Sequence, residues 1–483
     1  MAVLLLLSTL LISYGVGTTE CSTVPGNSTG MLSLLDFKRA ITNDPRQALS
    51  SWNASIPHCQ WEGVNCSLTH KGRVTVLNLT RQNLEGQIAP SLENLTFLRS
   101  LDLRSNGFFG QLPTLNRLHK LQDLILGNNM LQGFNPDAIT NCSSLHYLDL
   151  SANSLKGSLP TNVGILSSLL YLNLEENNFF GIIPSSLHNI TNIREIDLSG
   201  NQFEGSIPGQ LGQLPSMSQL YLGGIGYGRI PTTILNNSAL VALDFNSNFL
   251  RMELPSNIGN TLSKLMALSL SNSMFQGRIR DSLGNVLRLE LIDFSSNNFN
   301  GQVPSSLGRL INLNYLGLAE NKLEENDSKS WGFLDALSNC SYLEVLSLQS
   351  NQLKGSIPKS VGKLSPRLAY LSLERNYLSG TVPDSIGNLT GLTQLSLAQN
   401  NLSGPIGAWI EKFKNLGVLA LAENNFAGPI PSSIGRLTKL TKLFLSRNIF
   451  EGHIPPSLGN LPFLSRLDLS ENNLNGIFLK GPF

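Results

Sequence analysis

Two groups of residues have types and spacings that could carry out chemistry. The segment Gly223–Gly228 has the glycine density of a loop that cradles phosphate, but no kinase-type lysine follows it. Paired carboxylates can act as general acid and base, and aspartate recurs at one phase, at Asp102, Asp149, Asp197, Asp244, Asp293 and Asp468. We interpret the glycines as local decay of a structural unit, and the aspartates as solvated, non-catalytic positions.

The five cysteines favour one short disulfide and argue against a zinc site. Cys59 and Cys66 flank a loop that a disulfide could close, as is common in secreted chains. Cys142 and Cys340 occupy positions that leucine fills elsewhere, so we expect small buried apolar residues. There is no Cys-x-x-Cys motif and the six histidines are scattered. We therefore expect no metal and no cofactor; the role of Cys21 stays open.

A repeat that runs through most of the chain must position these residues. The pair Leu-x-Leu, in which Ile or Phe replaces a leucine in a few repeats, is usually followed three residues later by Asn and recurs with eleven of sixteen spacings equal to 24. The first residues of the pairs are Leu77, Leu101, Leu124, Leu148, Leu172, Ile196, Leu220, Leu243, Leu268, Ile292, Leu316, Leu346, Leu371, Leu395, Leu419, Leu443 and Leu467. One unit cannot bury its own leucines, whereas stacked units bury them for each other.

Each part of the unit has a mechanical role. Leu-x-Leu is a short strand with two side chains in the core, and Gly and Pro shape the turns that follow. Asparagine can donate to one backbone carbonyl and accept from one N–H, so a stacked ladder is expected at Asn106, Asn129, Asn153, Asn177, Asn201, Asn248, Asn297, Asn321, Asn351, Asn376, Asn400, Asn424, Asn448 and Asn472. The sequence predicts an α/β repeat solenoid, a right-handed superhelix with one parallel concave sheet of about seventeen strands.

Two repeats in the middle depart from this unit. The seventh is one residue short and has Ile225 at the ladder position, and the ninth has Ser273 there, with Arg280 where proline is expected. These departures predict a locally irregular region near residues 220–285.

Composition and the amino terminus favour a secreted glycoprotein. With 14% charged residues and a net charge of +1, the chain is neither disordered nor a nucleic-acid binder. Residues 1–17 read as a signal peptide, 18–72 as an amino-terminal cap and 73–483 as repeats without a carboxyl cap, with no membrane span in the mature chain. Candidate glycosylation sites are Asn27, Asn53, Asn65, Asn78, Asn94, Asn141, Asn189, Asn236, Asn326, Asn339, Asn388 and Asn401.

Outward strand positions provide the candidate binding residues. Tyrosine combines apolar area with a hydroxyl and is favoured at interfaces, although exposed strand positions favour aromatic residues in any case. The candidates are Tyr147, Tyr171, Asn173, Glu175, Glu176, Tyr315, Tyr370, Lys442, Phe444 and Arg447. Six of the glycosylation motifs share one phase, which predicts glycans along one flank, while Asn78 points into the concave sheet.

The 24-residue unit with Gly-x-Ile-Pro resembles the plant-specific class of leucine-rich repeat. Residues 31–38, 43–45, 49–52 and 59–66 resemble the amino-terminal cap of plant receptor-like kinases and receptor-like proteins. The repeat before Leu346 is six residues longer than the 24-residue unit, and its segment 325–334 resembles an insertion in the subfamily that includes pattern-recognition immune receptors. We expect Glu325–Trp331 to project beside the ligand; alternatively, Trp331 and Phe333 simply pack onto repeat eleven.

This resemblance implies an extracellular sensor that binds a peptide or protein ligand in defence or signalling, with a co-receptor of the same repeat class allowed at the carboxyl-terminal repeats. Kinase motifs are missing from the sequence, so the resemblance carries over sensing but not catalysis. A receptor fragment, a truncated product and a secreted decoy remain alternatives, as does an inhibitor of a pathogen wall-degrading enzyme. We expect no enzyme activity.

The carboxyl edge is expected to be a weak point. Leu467 and Leu469 form the last strand, and the apolar tail 476–483 has no cysteine. An open strand edge favours association or fraying, so the seventeenth repeat should be the least protected from hydrogen exchange.

Overall fold

The computed structural model describes residues 28–133, 137–325 and 331–475. The predicted signal peptide, Cys21, the glycosylation motifs at Asn27 and Asn326, the middle of the insertion and the tail 476–483 lie outside the described residues. The boundaries predicted for the domains therefore remain predictions.

Seventeen short parallel strands form a continuous concave sheet, as the repeat predicts. Pairing is in register, with Leu172 opposite Leu148 and Ile196, because the inward leucines stack in the core. The strands, which number repeats 1 to 17, are Val74–Asn78, Ser100–Asp102, Asp123–Ile125, Tyr147–Asp149, Tyr171–Asn173, Glu195–Asp197, Gln219–Tyr221, Ala242–Asp244, Ala267–Ser269, Leu291–Asp293, Tyr315–Gly317, Val345–Ser347, Tyr370–Ser372, Gln394–Ser396, Val418–Ala420, Lys442–Phe444 and Arg466–Asp468. A cap strand, Val64–Cys66, pairs antiparallel with the first.

A second row of strands, which the sequence did not predict, follows the ladder position of each repeat. Its pairing is interrupted, forming sheets of four, three, two and nine strands, of which the first begins with the cap strand Ile41–Asn43. The row comprises Glu85–Gln87, Gly107–Gln111, Met130–Gln132, Lys156–Ser158, Asn178–Ile182, Gln202–Glu204, Tyr227–Gly228, Phe249–Leu250, Gln276–Arg278, Asn298–Gly301, Lys322–Glu325, Gln352–Gly355, Tyr377–Gly380, Asn401–Gly404, Asn425–Pro429, Ile449–Gly452 and Asn473–Leu474.

Short helices form the convex side. Apart from the cap turn His58–Gln60, the 3₁₀ turns are Pro90–Asn94, Val163–Ile165, Ser185–Asn189, Gly209–Gln213, Asp281–Asn285, Ser305–Arg309, Leu337–Asn339, Lys359–Lys363, Asp384–Asn388, Ala408–Lys412, Ser432–Arg436 and Pro456–Asn460. The α-helices are Ser28–Arg39 in the cap and the short Asp137–Thr140, Thr232–Leu235, Ile258–Thr261 and Gly332–Ala336. Proline before many of these turns fixes their entry, and glycine inside them lets neighbouring turns touch.

The asparagine ladder is present at all fourteen predicted positions. Asn297 is representative: its Nδ2 donates to the carbonyls of Leu270 and Phe294 at 2.8 and 3.1 Å, and its Oδ1 accepts from the N–H of Phe275 at 2.9 Å. The ladder thus joins each repeat to the one before it and satisfies buried backbone groups that no strand pairing reaches.

The residue before each ladder asparagine adopts a left-handed backbone conformation, which the sequence did not reveal. Non-glycine residues fill most of these positions, for example Glu176, Glu320 and Arg447, with φ between 51° and 54°. Such a conformation costs free energy for a residue with a Cβ, so the ladder hydrogen bonds offset local strain in nearly every repeat.

The cap covers the amino-terminal end of the core. Cys59 and Cys66 form the predicted disulfide, with Cα atoms 5.4 Å apart. Trp52 and Trp61 stack at 5.3 Å between ring centroids and are buried. The Nζ of Lys38 donates to the carbonyls of Leu49 and Trp52, which ties the first helix to this loop.

The predicted burial of Cys142 and Cys340 is confirmed, and of the two alternatives for the insertion Trp331 and Phe333 follow the packing one. Cys142 and Cys340 are buried, and each thiol donates to a carbonyl in the preceding repeat at 3.6 and 3.7 Å. Trp331 and Phe333 stack at 5.7 Å inside the core, and the indole N–H of Trp331 donates to the carbonyl of Lys354. The ends of the insertion are therefore packing elements.

The last described repeat is less buried than those before it. Leu443 and Leu445 in repeat 16 are 0% exposed, whereas Leu467, Leu469 and Leu474 are only partly buried. The predicted association or fraying of this end stays a prediction.

Candidate ligand-binding face

The concave sheet places the candidate residues in parallel rows. In each strand the central leucine points into the core, so the first and third residues face outward. Tyr147, Tyr171 and Glu195 are consecutive members of the first row, and Asp149, Asn173 and Asp197 lie beside them in the third-residue row. Adjacent strands are about 4.8 Å apart, so these side chains form one surface.

The recurring aspartates shape the backbone, and the prediction that they are solvated is wrong for three of the six, whereas Asp244, Asp293 and Asp468 are partly exposed. Asp102, Asp149 and Asp197 are at most 9% exposed because the neighbouring repeats cover them. In each, Oδ1 accepts from the backbone N–H two residues later, as Asp149 does from Ser151 at 3.0 Å. Asn173 makes the same turn with Glu175 at 2.9 Å. The carboxylates thus hold the bend that leads into the ladder.

Five residues of repeats 4–6 form what we call the acidic-tyrosine patch: Tyr147, Tyr171, Glu175, Glu195 and Asp197. The rings of Tyr147 and Tyr171 lie 5.3 Å apart and are half-buried. Glu175 and Glu195 are half-buried beside them. Among the described residues, no ion pair joins a lysine or arginine to any carboxylate of the patch, so no paired cation neutralises those carboxylates that are ionised.

The protonation of these carboxylates reflects the crowding. Burial, followed by the charges of Asp197 and Glu176, raises the pKa of Glu175 to about 7. Burial and then Asp197 also raise the pKa of Glu195. For Asp197 burial raises the pKa although hydrogen bonds from Ser199 oppose it. A cation placed here would reverse these shifts and gain attraction in a partly desolvated setting.

The carboxyl-terminal candidates form a weaker patch. Lys442 and Arg466 lie opposite each other on neighbouring strands. Arg447, however, is paired with Glu423 at 3.6 Å and with Glu471 at 3.0 Å, which neutralises much of its charge. Phe444 is half-buried in the same region. These residues are close together, but they offer less unpaired charge than the acidic-tyrosine patch.

The remaining aromatic candidates are separated. Tyr315 and Tyr370 lie two strands apart, with Val345 between them. The hydroxyl of Tyr370 donates to Gln349 at 3.2 Å. Tyr221 extends the acidic-tyrosine patch into repeat 7, and its hydroxyl donates to Gln219. The sequence interpretation missed Glu195 as a binding residue. The signal was present, because Glu195 and Asp123 are the only acidic residues among the first residues of the seventeen concave strands.

The six in-phase glycosylation motifs lie at the ends of the convex turns, along one flank as predicted. Five of them are exposed and Asn94 is partly so, its Oδ1 accepting from Arg117 at 2.8 Å. Asn78 is exposed at the end of the first concave strand. Occupancy of all these sites stays a prediction.

One group of potential metal ligands occurs in the cap. A nitrogen of His58 and the sulfurs of Cys59 and Cys66 lie within 4.8 Å of one another. Because the two sulfurs are bonded to each other they are not thiolate ligands, and His58 Nε2 lies 3.0 Å from the carbonyl of Gly72. The arrangement therefore serves the fold of the cap.

Family comparisons define the class of protein. Residues 31–67 match the Leucine rich repeat N-terminal domain, and residues 113–155, 168–190, 192–214, 288–310, 341–402 and 439–461 match leucine-rich repeat families. The chain is a leucine-rich-repeat protein with an amino-terminal cap.

Individual relatives narrow the class. The chain is 45% identical over 98 residues to the LRR receptor-like serine/threonine-protein kinase EFR of Arabidopsis thaliana, covering 20% of this chain and 9% of that protein. The Arabidopsis receptor kinase HAESA, solved with the peptide hormone IDA and the co-receptor SERK1, is 32% identical with a TM-score of 0.70, over 92% of this chain and 82% of that one. The plant peptide hormone receptor RGFR1, solved with RGF2, is 32% identical to this chain with a TM-score of 0.74, and the match covers 86% of this chain and 68% of that one.

This chain therefore belongs to the plant leucine-rich-repeat receptor-like kinase family and has the fold of its ectodomains. The matched segments span only about a tenth of the full length of the curated relatives. Within the described residues, no helix has the length and apolar character needed to cross a membrane.

Proposed function

We propose that this chain is an extracellular, non-catalytic recognition module that binds a peptide or protein ligand on its concave face. The solved relatives support this proposal, since HAESA was solved with the peptide hormone IDA and the peptide hormone receptor RGFR1 with RGF2, and both share the fold over most of this chain. A role in plant defence or signalling, and a co-receptor of the same repeat class, are part of the proposal.

The acidic-tyrosine patch carries the proposal for the site. Tyr147 and Tyr171 offer a half-exposed aromatic surface, and the carboxyl groups of Glu175 and Glu195, which form no ion pair, lie beside it. Lysine and arginine are attracted both to carboxylates and to tyrosine rings. The ligand should therefore present a cationic side chain to repeats 4–6.

Short synthetic peptides of equal length that carry net positive, zero or net negative charge test this site. Fluorescence anisotropy should show the tightest binding for the cationic set. The variant Glu175→Gln with Glu195→Gln should weaken that binding by about tenfold, the size expected for partly desolvated charge pairs.

Glu204→Gln is the matched control, because Glu204 is an exposed glutamate in the second strand row of repeat 6. It should leave the affinity unchanged. Equal binding of anionic peptides, or equal losses in the patch variant and the control, would remove the site from repeats 4–6.

A further inference from the structure

Successive repeats are joined by several continuous sets of contacts, and two of these sets are interrupted at the same boundary. This boundary lies between repeats 6 and 7, whose concave strands are Glu195–Asp197 and Gln219–Tyr221. The two interrupted sets are the asparagine ladder and the second row of strands.

The ladder stops because Ile225 occupies the asparagine position of repeat 7. One repeat earlier, Asn201 accepts from the N–H of Phe179 at 3.0 Å and donates to the carbonyl of Leu174 at 2.8 Å. The isoleucine side chain can do neither for the equivalent groups of Phe203 and Leu198. The hydrogen bonds by which a ladder asparagine joins its repeat to the preceding one are therefore missing between repeats 6 and 7.

The second row of strands stops at the same place. Gln202–Glu204 ends a three-stranded sheet and Tyr227–Gly228 begins the next. Among the described strands these two are not paired, and no isolated bridge spans the gap, whereas single bridges span the other two interruptions of the row. A crevice of about 10 Å³, room for about one water, opens beside Ile225 and Gly226.

A one-residue deletion explains the interruption. Six residue steps lead from Asn201 to Ile207, but only five lead from Ile225 to Ile230. The deletion falls inside the strand, where a shift of one residue reverses which side chains face the core. The strand of repeat 7 cannot then pair in register with that of repeat 6.

The other sets of contacts at this boundary are intact. The concave strands pair in full register, with Asp197 opposite Tyr221. On the convex side, Thr233 Oγ1 donates to the carbonyl of Gly209 at 2.6 Å, and a Cβ on Gly212 would lie 2.3 Å from the carbonyl carbon of Thr233. The boundary is therefore closed on the concave and convex sides and open on the side of the second strand row.

We propose that the boundary between repeats 6 and 7 is a hinge, at which the second-row side opens and closes while the concave sheet stays continuous. The hinge divides the solenoid into an amino-terminal arm, repeats 1–6, and a carboxyl-terminal arm, repeats 7–17. Glu195 and Asp197 lie on the first arm and Tyr221 on the second. A ligand that contacts both arms would favour either the open or the closed state of the hinge. This effect of a ligand rests on the proposed function, whereas the hinge itself is tested without ligand.

Hydrogen exchange on the full-length chain tests the missing ladder contact on which the hinge depends. The amide of Phe203 should exchange at least about tenfold faster than those of Phe179 and Phe299, whose ladder acceptors Asn201 and Asn321 are present. Equal protection of the three amides would overturn the proposal.

Distance distributions between spin labels test the motion between the arms. Labels at Lys156→Cys and Arg251→Cys, exposed in the second-row strands or at their ends, span the hinge across four repeats. Labels at Lys354→Cys and Glu451→Cys span four repeats within one arm. With Cys21→Ser, the buried Cys142 and Cys340 remain protected from labelling.

The pair across the hinge should give a distribution broader than the control pair. A repaired chain, with Ile225→Asn and one residue inserted between Tyr227 and Gly228, should narrow the first distribution and leave the control unchanged. Equal widths for the two pairs in the unrepaired chain would overturn the hinge, whether or not the repaired chain folds.

Discussion

Replacing one ladder asparagine should destabilise the solenoid far more than replacing an exposed asparagine in the same repeat. Asn297→Leu removes the acceptor of the Phe275 N–H and the donor to the Leu270 carbonyl, at 2.9 and 2.8 Å. Each buried group left without a partner costs about 1–3 kcal/mol. After a small offset from the added apolar burial, we expect a loss of about 2–4 kcal/mol.

Urea unfolding followed by circular dichroism measures this loss, and hydrogen exchange at Phe275 locates it. The matched control is Asn300→Leu, at an exposed position of the second strand row, which should change stability by less than about 0.5 kcal/mol. If the two variants unfold alike, the ladder is not a source of stability and the reasoning fails.

Three other predictions concern packing, pH and the cap. Gly308→Ala should lower the free energy of unfolding by about 1–3 kcal/mol, because the added Cβ would lie 2.4 Å from a backbone oxygen of the next helical turn. Gly459→Ala is the control, since the space around that glycine is open, and it should leave the same urea titration unchanged. The pKa of Glu175 is about 7 in the folded chain against an ordinary 4.5, so the folded state binds more protons than the unfolded state. The free energy of unfolding should therefore fall as pH rises from about 4.5 to 7, and Glu175→Gln should reduce that slope. An unchanged slope would contradict the burial assigned to Glu175. Replacing both Cys59 and Cys66 by serine should cost about 2 kcal/mol for so short a loop, and non-reducing peptide mapping that found both thiols free would refute the bridge.

The fold was largely predictable because the same sequence pattern recurs in seventeen repeats. The phase of Leu-x-Leu and the asparagine at positions such as Asn297 appear in repeat after repeat, so a local error could not shift the register. The second strand row was not predictable in the same way, since strands such as Asn178–Ile182 exist through pairing between repeats. The burial of Asp149 was missed for a related reason, because the covering atoms belong to neighbouring repeats.

The candidate site was only partly predictable. Tyr171 and Glu175 were identified from their outward positions, and they do lie together. Glu195 joins them only because its strand pairs in register with Tyr171–Asn173. The charge of Arg447 looked available in the sequence, but Glu423 and Glu471, each 24 residues away, are placed beside it by the solenoid.

Photo-crosslinking would test most directly the central claim that the concave face binds the ligand. The probe is the tightest-binding cationic peptide, with a photoreactive residue beside its lysines, and mass spectrometry identifies the attached residues. We predict crosslinks in the strands Tyr147–Asp149, Tyr171–Asn173 and Glu195–Asp197, which are lost with Glu175→Gln and Glu195→Gln. Crosslinks confined to the convex turns, such as Ser185–Asn189, would contradict the claim.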